Sequence, residues 1–285
     1  MPFPSFRLIW RWKRLLLAFP ARKSDTVIDT PSIFGERARA AVRRLCFLGA
    51  FFIPTIQTNI YVDGFNLYYG AAKYTPYKWV NLADLCLQVL PGLTINRIRY
   101  FTALVKPLPS DPNIRQRQEV YIRALETLPN LTVHYGHYLK SEVSMPLALP
   151  PAGGPRFADV IKMEEKGSDV NIATYMLADA FRKDCDQLIV ITNDSDLAEP
   201  VRIINKELHI PVGIFNPHTH DTAVRRSRVT GRPLRSARPS IELRKVAKFS
   251  RDITSEGPRS HMARSQFPSQ LTDAGGRTIR KPTNW

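Results

Sequence analysis

A chain of 285 residues with 44% apolar and 10% aromatic side chains can bury a sizeable core and is long enough for one large domain with extensions. Its formal charge of +16 is unevenly placed: residues 1–57 carry 10 basic and 3 acidic side chains, residues 58–224 carry 16 and 18, and residues 225–285 carry 15 and 4. A near-neutral centre between basic ends suits a polyanionic partner, nucleic acid before anionic membrane, with a pair of solvated tails as the plainer alternative. Three scattered cysteines, with no CxxC pair, argue against a disulfide framework or a zinc knuckle and fit a reducing cytoplasm. No apolar run reaches the roughly 18 residues that a membrane span needs.

Residues 1–57 read as a basic and apolar extension, poorly ordered. Trp10, Trp12 and Phe19 interleave with Arg and Lys, which suits either a membrane surface or an unstructured leader. The apolar run at 45–53 follows Arg43-Arg44 and resembles the hydrophobic part of a signal peptide. It lies far from the start, however, and Pro54 stands where a small-residue cleavage site belongs, so secretion is disfavoured.

From residue 58 the pattern is globular. A short apolar strand at 59–62 ends on Asp63, and Gly64 permits a tight turn into a helix at 65–72. Helical spacing recurs at 81–89, a partly alternating strand at 95–105, and an Asp-Pro start opens a helix at 111–128. Residues 131–139 alternate as a strand, and 145–157 are too rich in Pro and Gly for regular structure, which makes them a loop or flap. A strand at 160–163 leads to a helix at 169–181. The run at 187–192 lacks alternation, as a strand buried on both faces does. A helix at 196–208, a strand at 210–215, an Arg-rich linker at 218–239 and a last helix at 240–253 follow; residues 254–285 read as a disordered basic tail. Strands alternating with helices predict a doubly wound α/β sheet.

Three segments place carboxylates where strands end or helices begin. Asp63 and Asn66 follow the first strand, Lys166, Ser168, Asp169 and Asn171 surround a helix start, and Asn193, Asp194, Ser195 and Asp196 follow the buried strand. That rim of an open α/β sheet is where ligands bind, and hard carboxylate oxygens suit a divalent cation. Each segment also has a structural reading. Asp63 with Asn66 can form an Asx turn, Ser168 can cap a helix, and Asp196 with Glu199 matches a capping box. Asp194 has no such helix duty. Asn66 can orient a phosphate oxygen, and Lys166 can hold a phosphate as a point charge.

The ordered stretches "IYVDGFNLYYG" at 60–70, "EEKGSDVNIATYMLADAF" at 164–181 and "VITNDSDLAEPVRIINKE" at 190–207 resemble the NYN domains, in the LabA-like group of the PIN-like nuclease superfamily. The resemblance covers residues 58–253. It implies a PIN-like three-layer α/β/α sandwich with a central, mainly parallel sheet. It also implies a Mg²⁺- or Mn²⁺-dependent ribonuclease whose catalytic and metal-holding acids map to Asp63, Asp169, Asp194 and Asp196. RNA is then the expected partner, with Asn66, Lys166, Ser168, Asn171, Asn193 and Ser195 as candidate contacts; Arg225 and Arg226, at the start of the basic C-terminal tract, are candidate flanking cations by their charge and not by the resemblance. Self-association stays open, as do two other readings: a binding module with a structural metal, and a 5′-nuclease or phosphatase acting on DNA.

Overall fold

The computed structural model describes residues 55–107, 110–218, 239–283 and 285. Its central strand, β1 (Gln57–Asp63), is buried from its second residue onward. On one side β1 pairs with β2 (Thr94–Thr102), which pairs with β3 (Leu131–Tyr135); on the other it pairs with β6 (Gln187–Ile191), followed by β7 (Val212–Asn216) and β8 (Phe249–Asp252). Every neighbour in this six-stranded sheet is parallel. Numbered along the sheet, the order is the 3-2-1-4-5-6 of a doubly wound fold, so the chain reverses its winding direction between β1 and β6.

Alternation along β1 and its neighbours sorts the core into two layers. Ile60, Val62, Ile98, Ile189 and Ile191 face one way, under α1 (Gly64–Leu67), α2 (Leu82–Val89) and α3 (Ile114–Leu125). Tyr61, Phe101, Leu188, Val190 and Ile214 face the other way, under α4 (Ser168–Phe181), α5 (Ala198–Lys206) and α6 (Ile241–Val246). The second layer encloses charge: Asp179 of α4, 1% exposed, accepts from Tyr61 Oη at 2.8 Å and from Arg99 Nε at 2.8 Å and Nη2 at 3.0 Å.

Three expectations change. The strand expected at 160–163 belongs to β5 (Phe157–Lys166), which pairs antiparallel with β4 (His137–Pro146) as a hairpin separate from the central sheet. The Pro- and Gly-rich stretch is the tip of that hairpin. The last helix stops at Val246 because β7 still offers an open edge: Lys248 N–H donates to the Val212 carbonyl at 2.8 Å and the chain continues as β8.

Residues 254–285 are part of the folded unit Thr55–Trp285, not a disordered tail. They supply α7 (His261–Arg264) and a hairpin of β9 (Gln270–Thr272) with β10 (Thr278–Arg280). Their few apolar residues, widely spaced and so without a periodic signal, insert beside Trp79: Met262, Phe267 and Ile279 are buried in the first layer. Trp79 Nε1 donates to the Pro268 carbonyl at 2.8 Å, and its ring lies 5.9 Å from those of Phe267 and Trp285. The expected boundary at 57 to 58 falls close to the start of β1, whereas most of the N-terminal extension lies outside the described residues. No described helix is long and apolar enough to cross a membrane.

Candidate active site

Asp63 is still extended (φ −74°, ψ 101°) when β1 turns into α1. The turn runs so close to β2 that a Cβ on Gly64 would stand 2.7 Å from the Phe101 carbonyl oxygen and 2.7 Å from the Tyr100 ring. Close approach, not an unusual φ, therefore demands glycine here. Asp63 is 3% exposed. A carboxylate so placed is costly unless hydrogen bonded. Its Oδ1 accepts from the Asn66 N–H at 2.9 Å, and its Oδ2 accepts from Asn66 Nδ2 at 2.7 Å and from the Thr192 hydroxyl at 3.1 Å. The Asx-type turn foreseen for Asp63 and Asn66 is thus present, in the same carboxylate that lines the rim. Burial raises the Asp63 pKa, the Asn66 and Thr192 bonds oppose that rise, and the Asp194 charge adds to it.

The register carries this arrangement across the winding reversal. Val62 pairs with Ile191, so Thr192 emerges beside Asp63. Thr192 Oγ1 also accepts the Asp194 N–H at 3.1 Å, and Asn66 Oδ1 accepts the Asn193 N–H at 3.3 Å. Asp194 does have a helix duty, contrary to expectation: its Oδ1 accepts the Asp196 N–H at 3.0 Å and caps the 3₁₀ turn Ser195–Leu197. Asp196 is exposed and caps nothing, and Glu199 pairs with Arg202 in place of a capping box.

Gly167 adopts φ +99° between β5 and α4, a conformation open to glycine. Ser168 is the first residue of α4, not its cap; its N–H and hydroxyl both reach Glu165 Oε1, at 3.2 and 2.8 Å. Asp169 follows in the first turn. Much of its side chain reaches solvent, yet its carboxyl sits among groups that desolvate it. Burial first, then the charges of Asp63, Asp194, Glu165 and Asp196, push its pKa up to about 6.

Asp63, Asp169 and Asp194 line one cleft of about 310 Å³, together with Asn66, Glu165, Phe65, Tyr69, Tyr138 and Met163. Asp196 lies near enough to raise Asp169 but does not line the cleft, and Ser195 is exposed beside it. Lys166 is turned to Glu164 at 3.3 Å and is absent from the lining, as is Asn171. Asn193 Oδ1 accepts the Ser240 N–H at 2.7 Å, which fixes the start of α6. Arg225 and Arg226 lie outside the described residues.

Glu165, Thr192 and Tyr138 were missed. The alternation of β5 puts Glu165 on the face of Met163, and the hairpin register sets Tyr138 opposite Glu165. The first signal was present in the sequence; the second requires the pairing. Among the described residues, no three His, Cys, Asp or Glu side chains stand ready-made around an ion. The donors nevertheless fit a hard cation. Mg²⁺ takes hard carboxylate oxygens and keeps several of its waters, so it needs no closed protein cage, and a cation would relieve the mutual repulsion that adds to burial in raising Asp169.

The six-stranded parallel sheet, wound in both directions with helices on its two faces, is a PIN-like α/β sandwich. The chain belongs to the NYN domain family, whose model matches residues 57–230. It is also similar to 6-hydroxy-3-succinoylpyridine 3-monooxygenase HspA of Pseudomonas putida (strain DSM 28022 / S16), with 28% identity over 81% of this chain and 75% of that protein. A crystal structure of a protein of unknown function from Vibrio parahaemolyticus RIMD 2210633, VPA0982, shares 17% identity and a TM-score of 0.41 over 72% of this chain and 97% of that one.

Proposed function

We propose that the protein is a metal-dependent ribonuclease, with Asp63, Asp169 and Asp194 holding Mg²⁺ or Mn²⁺ and Asp196 contributing charge from the rim. The observation that carries this reading is the convergence of three carboxylates from separate segments on one cleft at the winding reversal. A bound divalent ion supplies Lewis acidity and offsets the negative charge of a phosphodiester. The chain's own residues do the rest. Asn66 and Thr192 orient Asp63, Ser168 orients Glu165, and Tyr138 and Phe65, 5.9 Å apart edge to face, close the wall over the acids. Ser195, exposed at the rim, is free to meet the RNA backbone. Asn193 and Ser168 act through the groups they brace, and Lys166, paired with Glu164, sits outside the cleft.

The test is purified protein on labelled single-stranded RNA, with and without EDTA, beside Asp194→Asn. Cleavage lost in both EDTA and the variant is the expected result; intact RNA after long incubation with Mg²⁺ removes the proposal. The name of the 28% identical relative favours a second reading, monooxygenation of a hydroxypyridine, in which one atom of O₂ enters the ring and the other leaves as water at the expense of a two-electron donor such as a reduced nicotinamide. Uptake of O₂ dependent on that ring, with RNA untouched, would favour it. The first reading is preferred because it gives a use to the carboxylate cluster.

A further inference from the structure

Behind the carboxylate cleft lies a second cavity of about 320 Å³. It falls between α1, β2 and α3, and Phe65 and Tyr69 line both it and the acidic cleft. Its other rings are Tyr68, Tyr100, Tyr121 and Trp285. A cavity of this size with aromatic walls is suited to one flat ring, because aromatic faces stack on any heteroaromatic plane.

The polar groups of the wall sort into used and unused. Tyr121 Oη donates to the Val80 carbonyl at 3.0 Å, and Gln118 is occupied by the Val105 N–H at 2.8 Å and the Ala103 carbonyl at 3.0 Å. Arg117 is paired with Asp111. Two groups remain. The Tyr68 hydroxyl and the Lys78 ammonium, both only partly exposed, have no hydrogen-bond or ion-pair partner among the described residues. Both can donate. Lys78 and Arg117 outweigh Asp111, which leaves the wall with one positive charge in excess. A ring bearing carbonyl oxygens meets these donors, whereas a purely apolar ring leaves them unpaired.

We propose that this cavity is a base-binding subsite, which takes a nucleobase with exocyclic carbonyl groups from the nucleotide next to the phosphate held in the cleft. The proposal rests on the ribonuclease reading for the identity of the polymer. Phe65 and Tyr69 then form the step between backbone and base, with one face toward the carboxylates and the other toward the ring. Tyr68 and Lys78 act as specificity residues and have no part in the chemistry.

The test measures binding of hexauridylate to the full chain in EDTA, so that it does not depend on cleavage, beside an abasic hexamer and free uridine monophosphate. The double variant Tyr68→Phe, Lys78→Met keeps the bulk of both side chains and removes only their donors, so it should weaken hexauridylate about tenfold, within the range for loss of hydrogen bonds of this kind. The abasic hexamer should bind wild type and variant equally. Ile114→Trp, which fills the cavity from its outer wall, serves as a second variant and should have the same effect. Unchanged hexauridylate binding in both variants overturns the assignment, as does an equal loss for the abasic chain. Monophosphate that binds as tightly as the hexamer also overturns it, because the cavity would then serve a free nucleotide. Hydrolysis in Mg²⁺ is read separately. Base-dependent binding without hydrolysis refutes the ribonuclease reading alone, and hydrolysis without base-dependent binding refutes the subsite alone.

Discussion

Asp63, Thr192 and Asp194 form a run of hydrogen bonds in which each group fixes the next: the Thr192 hydroxyl donates to Asp63 and accepts from the Asp194 backbone. Removing an acid and loosening its support should therefore read differently. Asp63→Asn, Asp169→Asn and Asp194→Asn should each abolish Mg²⁺-dependent RNA cleavage while the circular dichroism spectrum is kept; near wild-type cleavage in two of them would defeat the assignment. Thr192→Val leaves every carboxylate in place and should cost about 10–100-fold in kcat/KM, the usual loss when the group behind a ligand is removed. Away from the cleft, Asp179 offers a pH test. Burial pushes its pKa up, but the Arg99 and Tyr61 hydrogen bonds and the Arg99 and Arg97 charges outweigh it and hold the carboxyl below its ordinary value. A depressed folded pKa stabilises the protein above the unfolded value of about 3.9 and loses that contribution as pH falls through the folded value. The Tm should therefore drop below about pH 4. Arg99→Met leaves the buried Asp179 with the Tyr61 hydroxyl and only the longer ion pairs to Arg97 at 3.9 Å and Arg182 at 4.0 Å, and should cost about 3 kcal/mol at neutral pH in urea unfolding, the low end for loss of one partner of a buried pair.

β1, β6 and β7 were legible in the sequence as short apolar runs and β2 and β3 by their partial alternation, and Asp63 and Asp194 were legible because they follow β1 and β6; β8, Phe249–Asp252, has neither pattern and reads as helix. The hairpin β4–β5 was harder. Its residues alternate, but a two-stranded ribbon outside the main sheet buries little, and nothing in the local pattern says which strand it joins. The C-terminal elements were missed for a different reason: three- and four-residue elements carry no period, and Met262, Phe267 and Ile279 lie too far apart to form a run. Their burial still matters. Each buried side chain of this kind contributes about 1.5–3 kcal/mol, against a total stability of about 5–15 kcal/mol for an ordinary domain. A chain cut after residue 253 loses all three and exposes Trp79, so it should be insoluble or unfolded at 37 °C. A milder change, Ile279→Ala, should cost about 2–5 kcal/mol in urea unfolding. A soluble, cooperatively melting 55–253 fragment would show that these elements decorate the fold without supporting it.

Across the whole molecule, charge and chemistry are kept apart. Residues 58–224 hold every acid of the cleft and carry 16 basic against 18 acidic side chains, while residues 225–285 carry 15 against 4. The cleft alone repels a polyanion: burial first, and then the charges of Asp63, Asp194, Glu165 and Asp196, already disfavour the ionised form of Asp169. Attraction must then come from elsewhere on the chain, and a dense source is the run of Arg225, Arg226, Arg228 and Arg232. On the ribonuclease reading, such cations would raise the local concentration of RNA and its rate of arrival. Each phosphate they neutralise releases counterions, which gives a slope in log K against log salt of about −0.7 per contact on single strands. Replacing these four arginines by glutamine should therefore weaken RNA binding at low salt and flatten its salt dependence, by up to about 3 units of slope if all four meet phosphates. The turnover rate at saturating RNA should stay within about twofold, since an encounter role enters KM and leaves kcat alone. The comparison is made by filter binding from 50 to 300 mM salt beside single-turnover cleavage. Equal slopes in variant and wild type would mean that these arginines only solvate the chain, and a fall in kcat would mean that they reach the cleft.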